Sequence, residues 1–80
     1  MSYNNDMKKD PINQKFGNRL RILREEAGFN QYDFAFECQI SEAYYGRIER
    51  GEHSITIVTA FKISKTLGVP IVELFKEIDK

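Results

Sequence analysis

Hydrophobic residues recur along this chain at spacings of three and four, the period of an α-helix with one buried face. The first such run follows Asp10-Pro11, an N-cap carboxylate with proline in the first helical position. It ends at Gly28, which suits the residue after a helix C-terminus. Its apolar positions are Ile12, Phe16, Leu20, Leu23 and Ala27. The pattern predicts a first amphipathic helix.

Two shorter helices are predicted next, joined by only about three residues. Asn30 can cap the first of them and Ser41 the second. The second runs from Glu42 to about Arg50 and is ended by Gly51. The inward positions of the pair are Phe34, Ala35 and Cys38, followed by Tyr45 and Ile48. Such a pair describes a helix-turn-helix motif.

The rest of the chain predicts two more helices. Thr56 can cap a fourth helix, which Gly68 closes, and Val69-Pro70 opens a fifth. The inward residues of the fourth are Ile57, Ala60, Ile63, Ser64 and Leu67, and those of the fifth are Ile71, Leu74, Phe75 and Ile78. No segment alternates convincingly with period two. We therefore predict an all-α fold of five helices.

The length of 80 residues allows one small domain. Residues 1–10 show no periodicity and are expected to form a flexible arm, and residues 11–80 the folded domain. No run approaches the roughly 20 apolar residues of a membrane span, and the start lacks the apolar centre of a signal peptide. These features predict a cytoplasmic protein.

Catalytic and metal-binding residues are scarce. Cys38 is the only cysteine and His53 the only histidine, so an internal disulfide and a multi-thiolate metal site are excluded. Cys38 lies in an apolar helical pattern, which favours a small buried hydrophobe over a reactive thiol. No phosphate loop, HExxH or GxSxG motif occurs. We expect no cofactor, no metal and no enzymatic activity.

Three segments resemble the Cro/phage-repressor (XRE) family of DNA-binding domains: "FGNRLRILREEAGFNQYDFA", "ISEAYYGRIERGE" and "ITIVTAFKISKTLGVPIVELF". The resemblance covers roughly residues 16–75. It implies a compact lambda-repressor-like fold in which the third helix lies in the DNA major groove. The stretch "RIERGEHSITI", with no proline after Gly51, is further similar to controller proteins of restriction–modification systems and to regulators of many other operons.

The resemblance implies that Glu42, Ala43 and Arg47 read bases. Arg47 can bond guanine O6 and N7 together, and its alternative is a solvated surface arginine. Glu42 can accept a hydrogen bond from cytosine N4, or it only stabilises the helix N-terminus. Ala43 can touch a thymine methyl group, or it simply favours the helix.

The resemblance also implies a set of contacts to the DNA backbone, made by Asn30, Gln31, Tyr44, Arg50 and Ser54. Gln31 matches the family glutamine that bonds a phosphate, and a helix N-terminus suits that role. The Tyr44 hydroxyl can reach a phosphate beside the groove. Arg50 and Ser54 match further phosphate contacts.

Other family positions point to structural roles. The resemblance implies that Arg24 and Glu49 form a partly buried ion pair between the first and third helices. Tyr45 occupies a usually aliphatic position and is expected in the core, with its hydroxyl near the rim. Gln39 replaces a common glycine, so either the backbone is less left-handed there or glutamine tolerates a cost of about 1 kcal/mol. Gly46 replaces a common serine and should slightly loosen the third helix.

The charges balance, with 12 basic and 12 acidic residues, which predicts modest DNA affinity for a monomer. Apolar residues in excess of one core suggest a two-fold interface, although scattered exposed apolar residues are also normal. The interface candidates are Val58, Phe61, Val72, Phe75 and Ile78.

Two functions remain open at this point. The leading hypothesis is a homodimeric, sequence-specific transcriptional regulator that binds a near-palindromic site in double-stranded DNA. The alternative is an antitoxin-like module that binds a partner protein and autoregulates its operon. In that case the exposed aromatics Tyr32 and Phe36, one helical turn apart, would join the spare apolar residues in binding the partner.

Overall fold

The computed structural model describes residues 10–80, and every regular element in that range is helical. The α-helices are α1 (Pro11–Glu26), α2 (Gln31–Cys38), α3 (Glu42–Glu49) and α4 (Ile57–Leu67), and a 3₁₀ helix follows at Ile71–Phe75. The predicted arm lies outside the described residues, except for Asp10. Within the described range, no helix is long and apolar enough to cross a membrane.

The four α-helices of the described range begin at the predicted caps, which are Asp10, Asn30, Ser41 and Thr56. In each, the side-chain oxygen accepts a hydrogen bond from a backbone amide in the first helical turn, which would otherwise lack a partner. At the end of α2, Gln39 has a φ of 62°, so the backbone there is left-handed even though the residue is not glycine. Of the two alternatives for Gln39, the structure therefore supports a tolerated left-handed glutamine.

The prediction of a fifth α-helix is wrong. After Pro70 the chain forms only the short 3₁₀ helix, and Lys76 leaves it with extended backbone. Leu74 is nevertheless fully buried, and the Phe75 ring stacks on Phe16 with the ring centroids 5.1 Å apart. A spacing of three fits one face of a 3₁₀ helix as well as an α-helix, so the apolar pattern did not distinguish them.

One core joins all the helices. Its buried hydrophobic members are Phe16, Leu20, Phe34, Ala35, Cys38, Tyr45, Ile48, Ala60, Ile63 and Leu74. Three residues predicted to face inward are instead exposed, namely Ile12, Ala27 and Ile57. All three lie at a helix end, where periodicity does not reveal whether another element covers the side chain.

Helix α3 is held in place by α1 and α2, because it packs against both. The contact with α1 is made by the backbone: a Cβ added to Gly17 would lie 2.3 Å from the carbonyl oxygen of Glu49 and 2.5 Å from that of Ile48. Only glycine allows this approach. The last turn of α3 therefore lies directly against the middle of α1.

Candidate nucleic-acid interface

The three residues predicted to read bases share the exposed side of α3. Glu42, Ala43 and Arg47 are all exposed, while Tyr45 and Ile48 on the other side are buried in the core. A shallow surface groove, here called the α3 groove, is lined by Gln31, Glu42, Ala43, Gly46, Arg47 and Arg50. The structure thus brings the predicted base-reading residues together, beside two of those predicted for the DNA backbone.

Gln31 lies at the first position of α2, where that helix meets α3. Its Nε2 donates a hydrogen bond to Glu49 Oε1 at 2.9 Å, so its side chain is tied to the last residue of α3. An amide nitrogen carries two N–H donors, and Glu49 takes one of them. The second N–H and the backbone amides of the α2 N-terminus can still serve an anion.

The other residues predicted to contact the DNA backbone have partners within the protein. Asn30 caps α2 by accepting from Asp33 N at 2.7 Å. The half-buried Tyr44 ring packs edge-on against His53, with 5.2 Å between ring centroids. Ser54 Oγ accepts from Asn13 Nδ2 at 3.1 Å, which joins the loop after α3 to α1. Their contacts with DNA stay predictions.

Arg50 lies across α3 at the edge of the groove. Its guanidinium pairs with Glu52, with 3.2 Å between Nε and Oε2, and more than half of the side chain remains exposed. A Cβ added to Gly46 would lie 3.1 Å from Arg50 Nη1. A larger residue at position 46 would therefore crowd the Arg50 guanidinium, which would have to shift by a few tenths of an ångström.

A buried carboxylate lies beneath the groove. The Glu49 side chain is 3% exposed and forms an ion pair with Arg24, with 2.6 Å between Nε and Oε2. Arg24 also donates from Nη2 to Glu49 Oε1 at 3.3 Å and from Nη1 to the Phe29 carbonyl at 2.7 Å. The Tyr45 hydroxyl donates to Glu49 Oε2. The expectation of a Tyr45 hydroxyl near the rim is wrong, because the residue is fully buried and its hydroxyl has a buried partner.

These contacts fix the protonation states of the cluster. Burial acts to raise the pKa of Glu49, but hydrogen bonds from Arg24, Tyr45 and Gln31 outweigh it and hold that pKa below its usual value. The hydrogen bond to Glu49 raises the pKa of Arg24. Burial and the neighbouring carboxylate raise the pKa of Tyr45, so its hydroxyl remains a donor. At neutral pH the cluster is a carboxylate with four hydrogen bonds donated to it.

Other reactive groups are few in the part of the chain that the structure describes. Cys38 is buried, and burial raises the pKa of its thiol, so it is a weak nucleophile. No group of three or more histidine, cysteine, aspartate or glutamate side chains among residues 10–80 is arranged to hold a metal ion.

The known proteins that are similar to this chain agree with the helix-turn-helix fold. The sequence profile of the helix-turn-helix family matches residues 20–74. The control protein C.MunI of Mycoplasma sp is 39% identical over 70 residues, which are 86% of this chain and 95% of that protein. The control protein C.BamHI of Bacillus amyloliquefaciens is 38% identical over 55 residues, 68% of each chain.

A solved structure agrees in fold. The restriction–modification controller protein C.AhdI from Aeromonas hydrophila superposes with a TM-score of 0.77 at 36% identity, covering 79% of this chain and 96% of that one. The chain therefore belongs to the helix-turn-helix family of DNA-binding transcriptional regulators. Its resemblance to restriction–modification controller proteins is confirmed by these relatives.

Removing the cation from the buried pair should change stability in a pH-dependent way. We expect Arg24→Met to lower the free energy of unfolding by about 3–5 kcal/mol near pH 7, because Glu49 would remain buried and ionised without its partner. In wild type the pKa of Glu49 lies below its unfolded-state value of 4.5. The ionised carboxylate therefore stabilises the fold above pH 4.5, and this stabilisation is lost as the pH falls through the folded-state pKa. In the variant only the hydrogen bonds from Tyr45 and Gln31 oppose the effect of burial, so the pKa of Glu49 rises relative to wild type and the cost appears as the pH rises.

Urea denaturation of both proteins between about pH 4 and pH 7 measures this, and the stability difference should shrink on acidification. Arg21→Met is the matched control, since Arg21 is an exposed arginine of the same helix, and it should change stability by less than about 0.5 kcal/mol. A difference for Arg24→Met that stays constant with pH would contradict this account of the Glu49 carboxylate.

Proposed function

We propose that this regulator binds a near-palindromic operator as a homodimer, with α3 of each protomer in the major groove of double-stranded DNA. The observation that carries the proposal is the α3 groove, because Glu42, Ala43 and Arg47 share one exposed surface of a helix anchored by its opposite side. The major groove of B-DNA admits an α-helix and presents a distinct pattern for each base pair. No catalysis or cofactor is needed, and we place the protein in the cytoplasm.

Arg47 is the main base-reading residue in this proposal. It is exposed, and none of the ion pairs found within residues 10–80 involves it. Its guanidinium can donate to guanine O6 and N7 together. Glu42, in the first turn of α3, accepts from cytosine N4 and also favours the helix N-terminus, while the Ala43 methyl suits a thymine methyl.

Residues around the groove contact the phosphates on either side. Gln31 and Asn30 do so at the α2 N-terminus, and Tyr44, Arg50 and Ser54 do so around α3 and the loop after it. This assignment is supported by the position of Gln31 and Arg50 on the groove lining. Backbone contacts of this kind fix the register of a protein on DNA without reading its sequence.

The dimer proposal is supported by an apolar patch made of Ile57, Val58, Phe61 and Val72. Each of these side chains is more than half exposed, and they lie on α4 and the 3₁₀ helix, which pack together. Phe75 and Ile78, also predicted for the interface, are half-buried against the core and can contribute only their remaining surface. A two-fold axis here would set two copies of α3 about 34 Å apart, one turn of DNA.

Dimer formation also compensates for the balanced charge of the protomer. Twelve basic and twelve acidic residues limit how many phosphates one protomer can neutralise. Two protomers double the contacts and bind as one unit, so the fraction of protein able to bind rises with protein concentration. The fraction of operator that is bound would then rise with the concentration of the regulator.

A second candidate is the antitoxin-like module that binds a partner protein. It is favoured by one observation, since Tyr32 and Phe36 are 61% and 69% exposed on α2, outside the apolar patch. Aromatic residues of this kind are enriched at protein interfaces. The two candidates are compatible if the same chain also binds its own operator.

Fluorescence anisotropy with the DNA just upstream of the gene, against scrambled DNA, tests the function. Wild type should prefer the upstream fragment, and Arg47→Ala should weaken that binding by about tenfold while leaving the scrambled DNA nearly unaffected, because a bidentate contact to guanine discriminates by about 1–3 kcal/mol. Arg21→Ala removes the same charge from α1 and should alter both affinities by less than about twofold. Equal wild-type binding to both DNAs would count against the proposed operator.

Sedimentation equilibrium tests the dimer. Phe61→Asp puts a charge in the apolar patch, and we expect it to weaken self-association by at least about tenfold, because an unpaired charge is costly to bury. Phe36→Asp is the matched control, an exposed aromatic residue outside the patch, and should associate as wild type does. Loss of association in Phe36→Asp alone would move the interface to α2.

A further inference from the structure

The buried cluster around Glu49 contains one hydroxyl that packing does not require. Tyr45 is fully buried, and its ring meets Phe34 edge-on with 5.3 Å between centroids. A phenylalanine would fill nearly the same volume and keep that contact. Burying a hydroxyl is unfavourable unless it is hydrogen-bonded, and here the hydrogen bond goes to Glu49. The hydroxyl therefore acts on the carboxylate rather than on the core.

Each of the two carboxylate oxygens of Glu49 accepts two hydrogen bonds. Oε2 accepts from Arg24 Nε and from the Tyr45 hydroxyl, whereas Oε1 accepts from Arg24 Nη2 and from Gln31 Nε2. The terminal torsion of a glutamate is broad, so its hydrogen bonds decide where each oxygen points. With Tyr45 and Arg24 holding Oε2, the other oxygen is presented to Gln31.

Glu49 in turn orients the Gln31 amide. A carboxylate only accepts hydrogen bonds, so the amide must turn its N–H group toward Oε1, and that fixes which way the oxygen points. A glutamine side chain loses rotamer freedom when it is immobilised on binding, and one that is already ordered loses less. Gln31 is thus set in one orientation at the α2 N-terminus before any ligand arrives.

We propose that Tyr45 is a positioning residue for DNA binding, acting through Glu49 on the side-chain amide of Gln31. The inference rests on the proposed function, in which Gln31 contacts a phosphate. The hydroxyl touches no DNA. It keeps the Glu49 carboxylate turned so that the amide is held at the edge of the α3 groove with its second N–H available.

A double-mutant cycle tests the coupling. Anisotropy binding to the upstream DNA is measured for wild type, Tyr45→Phe, Gln31→Ala and the double variant, well below their melting temperatures. We expect Tyr45→Phe to weaken binding about fivefold in the wild-type background, the effect of roughly one hydrogen bond, and less than about twofold when Gln31 is already alanine. Phenylalanine keeps the buried ring and its contact with Phe34, so the variant retains the packing of the core.

A structural readout in the free protein accompanies the cycle. The Gln31 side-chain amide in the ¹⁵N NMR spectrum should have a high order parameter in wild type and a clearly lower one in Tyr45→Phe. Ile63→Val is the control for a general loss of stability, because it trims a buried side chain of α4 and leaves the Glu49 contacts in place. It should change neither the amide order parameter nor DNA affinity.

The outcomes separate the inference from the function on which it rests. If Gln31→Ala weakens binding but Tyr45→Phe has no effect, or an equal effect in both backgrounds, the positioning role is wrong while the proposed function survives. An unchanged amide order parameter in Tyr45→Phe also overturns the positioning role. If Gln31→Ala leaves affinity unchanged, the backbone contact assigned to Gln31 fails, and the role of Tyr45 fails with it.

Discussion

The Glu49 carboxylate is the point on which the arrangement of the helices depends. A buried charge is tolerated only when it is paired and hydrogen-bonded, so its donors must converge on it. They come from three helices, because Arg24 lies on α1, Gln31 on α2 and Tyr45 on α3 itself. The close backbone approach at Gly17 brings the end of α3 against α1 and makes that convergence possible. Displacing any one of the three helices would leave the carboxylate short of donors.

This constraint connects the core to the proposed DNA-binding surface. Helix α3 has eight residues, too few to be stable in isolation, so its position comes from tertiary contacts. Tyr45 and Ile48 anchor one side in the core, and Glu49 secures the last turn. The opposite side can then carry exposed residues that the core does not need, and these are available for recognition. Arg47 is the clearest example, an exposed arginine whose charge no ion pair in the described range uses.

Local signals made much of the fold predictable. Caps and the 3.6-residue period depend on neighbouring residues, and they located the four α-helices of residues 10–80. The same period could not separate a 3₁₀ helix from an α-helix over residues 71–75, nor show that Ile57 is exposed. In the site, spacing and family resemblance together put Glu42 and Arg47 on one surface. The hydrogen bond of the Tyr45 hydroxyl and the contact at Gly17 depend on tertiary approach, which no local pattern encodes.

In the proposed complex, two copies of α3, each held by this buried cluster, read one DNA site together. Selection of bound sequences from a random double-stranded DNA library tests it most directly, because it presumes no operator. We expect enrichment of two inverted half-sites with centres about 10 base pairs apart, each containing a guanine for Arg47. Enrichment of a single unpaired half-site, or of no sequence above the starting library, would contradict it.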